Sequence, residues 1–284
     1  MFVIAGVTGH VGSVVAQELL SHGEKVKVLV RDSAKGAEWS KRGAEIAVGA
    51  LEDEKFLAGA LEGAGGFFTL LPPNYQVKGF YAFQRKTADA ITQAVKQSAV
   101  PHVVLLSSVG AELAEGTGMI KGLHYLENAL RAAGTQLTAI RAAYFQENVL
   151  NSLAAAKNAG IFPNMTPSAD YAFPMINTRD IGLLAAHELM FASGKSEVVD
   201  LLGPSYSIRQ VAEKLGTKLG KKLQVVDVPP EGHVPAMVQA GFSQELAEIF
   251  AEMNAGFASG KIKPVGDRMK LGHTPIDAVI AKIS

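Results

Sequence analysis

The first half of the chain alternates short apolar runs with longer stretches of helical periodicity, and this alternation constrains the fold more than any other feature. Six runs predict strands: FVIAG, KVKVLV, EIAVG, GFFTLL, HVVLLSS and LTAIRA. Helical patterns separate them: VGSVVAQELLSHG, a short one around AKGAEWSKRG, DEKFLAGALEGAG, YAFQRKTADAITQAVKQSA and GLHYLENALRAAG. This order is typical of repeated strand–helix–strand units. Because the strands are almost continuously apolar, they predict a parallel sheet covered on both faces, in a doubly wound α/β fold.

The regularity ends near residue 150, which divides the chain into two predicted regions. Residues 1–150 are predicted to form the doubly wound domain, and residues 151–284 a smaller, mainly helical lobe that covers a substrate. The stretch AAAKNAGIFPNMTPSADYAFP, rich in Gly, Pro, Ser and Asn, predicts an irregular excursion. A helix and a strand near 176–203 are predicted to return to the sheet. The rest is predicted to be mostly helical, with PPEGHVP as a break.

Composition excludes several classes of protein. Lys+Arg and Asp+Glu both number 27, so the formal charge is zero and no electrostatic signature of nucleic-acid or membrane binding is present. The absence of cysteine rules out disulfides, thiolate metal ligands and a cysteine nucleophile. Three glycines interrupt the uncharged N-terminal segment, which therefore predicts strand, turn and helix and not a signal peptide. We expect a cytoplasmic protein, and both monomer and homodimer remain open.

The segment GVTGHVG stands between the first predicted strand and the first predicted helix. A diphosphate binds where backbone N–H groups and the positive end of a helix converge, and glycine lets such a ligand approach closely. Its place after the first strand of the series makes nucleotide binding the favoured interpretation, the alternative being a tight turn that only packs strand against helix. The predicted contact residues are Gly6, Thr8, Gly9, His10, Val11 and Gly12.

The end of the second strand predicts which nucleotide binds. NAD-binding proteins place an acidic side chain on the ribose about 20 residues beyond the glycine turn. This chain has Arg31 there, with Lys35 just beyond. A guanidinium suits the 2′-phosphate of NADP, so the sequence predicts NADP(H). If the strand ended one residue later, Asp32 would face the ribose and NAD would be favoured.

With these residues placed, the chain resembles the NmrA-like family of atypical short-chain dehydrogenase/reductases. GVTGHVG, VLVRDSAK, LLSSVGAE, LENALRAAGTQLTAIRAAYFQEN, INTRDIG and LLGPSYSIRQVAEKLG occur in that family's order. The resemblance implies a Rossmann domain that binds NADP(H), with a smaller lobe over the cofactor. Members of the family include quinone and dye reductases and also cofactor-sensing regulators without established turnover.

The resemblance also implies roles for residues outside the glycine turn. Relatives often have Gly-Asp near the adenine at the end of the third strand. This chain has Gly-Ala at residues 49–50, so any polar contact there is predicted to come from the backbone. The residues that the resemblance places along the cofactor are Leu70, Leu71 and Pro72, after the fourth strand, and Tyr144 and Phe145, near the nicotinamide.

Typical reductases of the larger superfamily use a YxxxK pair, whose tyrosine donates a proton to the substrate carbonyl. Alignment on ENALRAAG puts Met119 and Leu123 at these two positions, where neither can do acid–base chemistry. Lys121 would lie about 200° around the helix from Leu123 and is predicted to be solvated. His124 is about 100° from that face and is a candidate proton donor. The alternative for His124 is a histidine bonded to backbone.

Three further polar residues are assigned places near the cofactor or on the neighbouring helix. Ser107 ends the fifth strand, at the edge where ligands bind in open α/β sheets, and is a candidate to steady a carbonyl or the nicotinamide amide. The alternative for Ser107 is a loop cap. Glu127 is predicted to lie on the helix surface or beside the ribose, and Asn148 to line the pocket.

No metal site or serine-hydrolase elbow is indicated, because the HExxH, HxxxH and GxSxG patterns are absent. Aromatic residues in the predicted pocket loops favour an apolar, aromatic small-molecule substrate. We therefore expect an NADPH-dependent oxidoreductase that passes hydride to a quinone-like or conjugated carbonyl compound, the alternative being a non-catalytic NADP(H)-sensing protein. The residues predicted to line the pocket are Pro72, Pro73, Tyr75, Phe80, Tyr81, Tyr144, Phe145, Phe162 and Phe173.

Overall fold

The computed structural model of the protein describes residues 1–283. Every strand and helix expected in the first half is present. The strands are β1 (Phe2–Ile4), β2 (Val26–Val30), β3 (Glu45–Val48), β4 (Gly66–Leu70), β5 (His102–Ser108) and β6 (Gln136–Ala142). The helices between them are α1 (His10–Ser21), α2 (Ser33–Lys41), α3 (Glu54–Leu61), α4 (Phe80–Ser98) and α5 (Lys121–Arg131), the last preceded by a 3₁₀ turn at Gly118–Ile120.

The second half mixes short strands with helices. The strands are β7 (Tyr144–Phe145), β8 (Ile161–Asn164), β9 (Ala172–Ile176), β10 (Glu197–Leu202), β11 (Ser205–Ser207), β12 (Gln224–Asp227) and β13 (Arg268–Leu271). The helices are α6 (Leu153–Ala159), α7 (Thr178–Met190), α8 (Ile208–Leu219), α9 (Pro230–Gln239), α10 (Gln244–Ala258) and α11 (Asp277–Ile280).

The predicted doubly wound parallel sheet is confirmed. Eight strands form it in the order β13-β10-β6-β5-β4-β1-β2-β3, and all their pairings are parallel. Successive connections run outward from β1 in one direction and from β4 in the other, so the order reverses between these two neighbours. The carboxyl ends of β1 and β4 therefore flank a crevice, the usual ligand site of such folds. Two small sheets, β11-β9-β7 and β12-β8, lie beyond it.

Three predictions about the second half were wrong. The supposed irregular excursion contains α6, β8 and most of β9. The segment PPEGHVP is the beginning of α9 and not a break: Pro230 stands at the first helical position, where no N–H group is needed, and the helix continues through Pro235. The strand β13 was missed because it is a short, mostly exposed edge strand, RMKL, in which two apolar residues alternate with two charged ones and form no apolar run.

Alternate residues of the sheet pack into two cores on its opposite faces. Ile4 and Phe68 pack with α1 and α7, whereas Val3 and Phe67 pack with α3, α4 and α5. All four side chains are fully buried, and each such burial stabilises the fold by about 1.5–3 kcal/mol relative to an exposed side chain. This two-sided burial explains why the strands read as continuous apolar runs.

The second half contributes both to the sheet and to a core of its own. β10 pairs with β6, with Val199 opposite Ile140, and β13 pairs with β10. A separate cluster joins α8, α11 and β8 through Leu215, Ile280 and Phe162. The division of the chain into two domains at residue 150 stays a prediction. Within residues 1–283, no helix has both the length and the hydropathy that a membrane crossing needs.

Candidate functional site

The predicted site residues follow the carboxyl edge of the sheet. Because all eight strands are parallel, their carboxyl ends meet at this one edge. In the order of the strands, it carries Tyr144 after β6, Ser107 at the end of β5, Leu70 at the end of β4, the turn that begins at Gly6 after β1, and Arg31 after β2. Residues that are far apart in sequence therefore form one continuous crevice wall.

Two glycines of the turn are required by packing within the protein. Gly6 has φ +69°, and a Cβ on it would lie 2.5 Å from Leu70 Cδ2. A Cβ on Gly12 would lie 2.5 Å from the carbonyl oxygens of Ala5 and Gly6. Glycine at these positions lets α1 begin directly against β1 and the loop after β4.

The third glycine is not required by packing. A Cβ on Gly9 would meet only the carbonyl oxygen of Gly6, at an ordinary 3.4 Å. Gly9 precedes α1 without a side-chain cap, and the exposed stretch Thr8–His10 leaves this helix end open. The side chain of Val11 is buried, so Val11 offers the crevice only its backbone. Uncapped N–H groups and a glycine with room beside it fit a bound diphosphate.

The end of β2 presents a guanidinium at the same edge. The strand ends at Val30, and Arg31 is 58% exposed, with Nη2 donating to Glu52 Oε1 at 3.1 Å. Asp32 is the cap of α2 and accepts from the Ala34 N–H at 2.9 Å, so its carboxylate is already engaged. Because β2 ends at Val30, the residue directly after the strand is Arg31 and not Asp32, which favours NADP(H) over NAD. Lys35, in the first turn of α2, is exposed.

Glu52 is a residue that the sequence analysis missed. The polar group near the end of β3 was expected to be backbone, because Gly-Ala stands where relatives have Gly-Asp. The turn that follows β3 instead brings in the Glu52 carboxylate, whose side chain is only 15% exposed. Arg31 and Glu52 are 21 residues apart and meet because β2 and β3 are neighbours, a contact that no local signal reveals.

The loop after β4 connects the crevice to the second half of the chain. Leu70 touches the glycine turn, and the next two residues, Leu71 and Pro72, are half-buried. The carboxylate of Glu245, in α10, accepts from the N–H groups of Gly79 and Phe80, each at 3.0 Å. This carboxylate caps the N-terminus of α4, so α10 holds the end of the loop.

Ser107 belongs to a buried network of charged residues. Its hydroxyl donates to Glu127 Oε1 at 2.6 Å, and Arg141 donates to both oxygens of the same carboxylate at 3.0 and 2.8 Å. Arg141 also donates to Glu112 at 2.8 Å. Burial alone would lower the pKa of Arg141, but its hydrogen bonds to Glu127 reverse this and raise it. Of the two places predicted for Glu127, the helix surface is wrong, since the residue is 2% exposed, and a place beside the ribose stays a prediction.

His124 is held through both ring nitrogens. Nδ1 lies 2.8 Å from the carbonyl oxygen of Ala111, and Nε2 lies 3.1 Å from Nδ2 of Asn128. These contacts fit a neutral ring with its proton on Nδ1, which matches the backbone-bonded alternative. Residues 1–283 contain no group of three or more His, Cys, Asp or Glu side chains that could hold a metal ion.

The positions aligned with the tyrosine and lysine of typical reductases are packed with apolar groups. Met119 packs against the cluster of Phe80 and neighbouring residues, and Leu123 against the cluster that contains Ile262. Lys121 is partly exposed, with 30% of its side chain open to solvent, and it also has partners that the sequence analysis missed. Its ammonium group donates to Glu252 at 3.1 Å and lies 4.4 Å from the centre of the Tyr81 ring.

Aromatic side chains flank the end of β6. Tyr144 is 38% exposed, and its ring meets Phe173 edge to face at 5.5 Å. Tyr171 stacks on Phe173 at 6.4 Å. Loss of water around the hydroxyl raises the pKa of Tyr144, against a smaller opposite effect of a hydrogen bond with Asn148. Phe145 packs against the sheet core.

Other predicted pocket residues lie elsewhere. Phe80 and Phe162 are buried in apolar clusters. Tyr75, in the loop after β4, packs against Phe242 and Phe250 with ring centres 6.3 and 5.8 Å away. The aromatic surface nearest the end of β6 is therefore Tyr144 with Phe173 and Tyr171.

Two reductases are among the known proteins that this chain resembles in sequence. The chain is 27% identical over 259 residues to the NAD(P)H azoreductase of Xenophilus azovorans, covering 90% of this chain and 86% of that one. It is 25% identical over 263 residues to quinone oxidoreductase 2 of Escherichia coli strain K12, covering 92% and 89%.

Solved structures share the fold. An NADPH-dependent quinone oxidoreductase of Escherichia coli, crystallised with NADPH, superposes with a TM-score of 0.81 at 21% identity and 99% coverage of both chains. A triphenylmethane reductase of Citrobacter sp., crystallised with NADP(H), gives 0.79 at 19% identity, covering 100% of this chain and 96% of that one. The sequence model of the NmrA-like family matches residues 1–280. The chain therefore belongs to the NmrA-like family.

Proposed function

We propose that this protein is an NADPH-dependent oxidoreductase that reduces a quinone-like or other conjugated carbonyl compound. The observation that carries the proposal is the pairing of an open, uncapped helix end at Gly9 with the exposed guanidinium of Arg31 on one edge of the sheet. The names of the relatives support the same class, since they are NAD(P)H-dependent azo and quinone reductases.

Residues of the crevice can hold each part of the nucleotide. The N–H groups of the first turn of α1, from His10 to Gly12, would bind the diphosphate. Arg31, with Lys35 nearby, would bind the 2′-phosphate through charge-assisted hydrogen bonds. The loop Leu70–Pro72 would pass along the nucleotide, and Tyr144 would lie beside the nicotinamide.

A conjugated acceptor suits the reaction end of the crevice. When bound, the nicotinamide supplies the hydride, and the protein orients the acceptor and excludes water. Met119 and Leu123 have no ionisable group that could donate a proton to the acceptor. The polar atoms of Ser107 and His124 are engaged in hydrogen bonds within the protein. A quinone tolerates this because delocalisation stabilises its developing oxyanion, which water can protonate later. The exposed ring of Tyr144 offers a face for an apolar, aromatic acceptor.

The engagement of Ser107 and His124 also favours a second candidate, a non-catalytic sensor of NADP(H). Such a protein would bind the nucleotide and signal through a surface, with no need for an acid–base pair. A cytoplasmic location, supported by the absence of cysteine, fits both candidates. Assembly as a homodimer is compatible with both.

Steady-state oxidation of NADPH tests the two candidates. The purified protein is assayed against naphthoquinones, azo dyes and simple ketones. We expect turnover with the quinones and little with the ketones. Turnover with ketones alone would contradict the proposed acceptor class, and tight NADPH binding without turnover on any acceptor would favour the sensor.

A further inference from the structure

The carboxyl ends of β2 and β3 bring a carboxylate onto the guanidinium assigned to the 2′-phosphate. We propose that Glu52 determines nucleotide selectivity. Its carboxylate accepts a hydrogen bond from the adenosine ribose of NADH and opposes the 2′-phosphate of NADPH, so the Arg31–Glu52 pair lets the crevice take both nucleotides. This inference rests on the proposed function.

The two partners of the pair differ in exposure. The side chain of Arg31 is 58% exposed, whereas that of Glu52 is 15% exposed. The carboxylate is therefore largely packed against the protein, while the guanidinium has space to turn toward a ligand. Of the five N–H donors of Arg31, one contacts Glu52 Oε1, at 3.1 Å. The other donors remain available for a phosphate.

The second oxygen of Glu52 has no hydrogen-bond partner. Oε2 is buried from solvent, and no donor from the described residues reaches it. Buried polar atoms are nearly always hydrogen-bonded in native proteins, so Oε2 retains an unused capacity to accept a hydrogen bond. A ribose hydroxyl is a donor of suitable size, and a carboxylate near the end of β2 holds this hydroxyl in NAD-binding Rossmann proteins.

Neighbouring carboxylates are already committed to the backbone. Asp32 accepts from the Ala34 N–H at 2.9 Å, and Asp53 accepts from the Phe56 N–H at 3.1 Å, each capping a helix. Among the acidic residues that follow β2 and β3 directly, Glu52 is thus the one that faces the guanidinium.

The two nucleotides respond to this charge in opposite directions. A 2′-phosphate is a dianion, and a carboxylate on the same guanidinium repels it while occupying one of its donors. A ribose hydroxyl is a neutral donor, which a carboxylate accepts more strongly than an amide does. If Glu52 only stabilised the fold or only oriented Arg31, its replacement would not change the affinities for NADPH and NADH in opposite directions.

Titration of NADPH and NADH on the whole chain tests the proposal, with wild type, Glu52→Gln and Glu54→Gln. Glu54→Gln is the matched control, since it removes the same charge from the first turn of α3 without touching Arg31. For Glu52→Gln we expect NADPH to bind about three- to tenfold more tightly and NADH about three- to tenfold more weakly. For Glu54→Gln we expect both affinities to stay within about twofold, since the Glu54 carboxylate accepts from Gln97 and not from Arg31.

Each outcome bears on the proposal. Opposite shifts in Glu52→Gln, absent in Glu54→Gln, would support it. Weaker NADPH binding with unchanged NADH binding would overturn it in favour of Glu52 as a group that orients Arg31. Equal changes for both nucleotides, or none, would overturn it as well. If the glutamine variant does not fold, Glu52→Ala is titrated under the same criteria. Failure of wild type to bind either nucleotide would instead refute the proposed function, and this inference with it.

Discussion

The two ends of the crevice are built differently. At the β1–β2 end, the helix end at Gly9 is open and Arg31 is largely exposed, with most of its donors available. At the β5–β6 end, Ser107 and Arg141 are buried and bonded to Glu127, and His124 is held at both nitrogens. One end presents unsatisfied donors to solvent, and the other satisfies its polar groups internally.

This difference indicates how chemistry is divided between protein and nucleotide. Unused donors at an edge are typical of a surface that recognises an anion. A closed network of buried ion pairs holds strands and helices in position, because each charge would be costly without its partner. In the proposed function, the protein binds the nucleotide at one end and holds the strands and helices in place at the other, which leaves the reactive step to the nicotinamide.

The largest effect is expected from breaking the buried network. Glu127→Ala leaves Arg141 with Glu112 alone, and we expect a loss of about 3–5 kcal/mol in the free energy of unfolding. Denaturant unfolding followed by circular dichroism measures it. Arg131→Ala is the control, because this residue contacts Glu127 from a more exposed position, at 3.7 Å, and should cost at most about 1 kcal/mol. Similar losses in both variants would contradict the structural role of the network.

The glycine turn separates folding from binding. Gly12→Ala places a methyl group 2.5 Å from two backbone oxygens, so we expect it to destabilise the fold by about 1–3 kcal/mol and to abolish nucleotide binding. Gly9→Ala meets only an ordinary contact and should keep its thermal midpoint while losing nucleotide affinity. Calorimetric melting with parallel NADPH titration measures both variants. Full affinity in Gly9→Ala would mean that no diphosphate approaches this turn.

Arg31→Ala tests the exposed end directly. We expect it to weaken NADPH binding by about 1.5–3 kcal/mol, the value of a hydrogen bond to a charged group, and to leave NADH binding nearly unchanged. Stability should change little, since exposed ion pairs contribute at most about 1 kcal/mol. Fluorescence titration of both nucleotides gives the comparison. Equal losses for NADPH and NADH would place the 2′-phosphate elsewhere.

Ser107→Ala tests the supporting end with a smaller change. The hydroxyl is bonded to Glu127, so we expect a loss of about 1 kcal/mol in unfolding free energy and less than about a threefold change in kcat. Unfolding and steady-state rates are measured on the same preparation. A tenfold fall in kcat at unchanged stability, about 1.4 kcal/mol of activation free energy, would restore Ser107 as a group that acts on substrate or nicotinamide.

The smallest effect is expected in the pH dependence of the free energy of unfolding. Asp200 is buried near the same network. Burial raises the pKa of Asp200 above its ordinary value of 3.8. The contribution of the protonated carboxyl to the free energy of unfolding is therefore complete below pH 3.8 and is lost as the pH rises through the raised pKa. Asp200→Asn should therefore gain stability relative to wild type as pH increases from 3.5 to 7.

Asp277 provides the opposite case. Its hydrogen bond with Lys214 lowers the pKa of Asp277, so its contribution is present above the ordinary pKa and lost as pH falls. Asp277→Asn should lose stability relative to wild type over the same pH range. Unfolding at several pH values measures both variants, and slopes of equal sign would contradict the assigned pKa directions.

Much of the fold could be predicted because its signals are local. The strands β1 to β6 are short apolar runs, and glycines and capping residues separate them from the helices. Sequence patterns were weaker where packing determines the structure. β13 is a short, mostly exposed edge strand recognisable only through its partner β10, and α9 begins within a segment whose three prolines suggested a break.

The sequence by itself determined the parallel sheet, the glycine turn and the position of Arg31 after β2, since periodicity and backbone requirements act over a few residues. Only the tertiary structure decided that Glu52 meets Arg31, that Glu127 is buried with Ser107 and Arg141, and that Lys121 pairs with Glu252. Each of these contacts joins residues from different elements. Their charges meet because of strand order and helix packing, and no local pattern encodes either one.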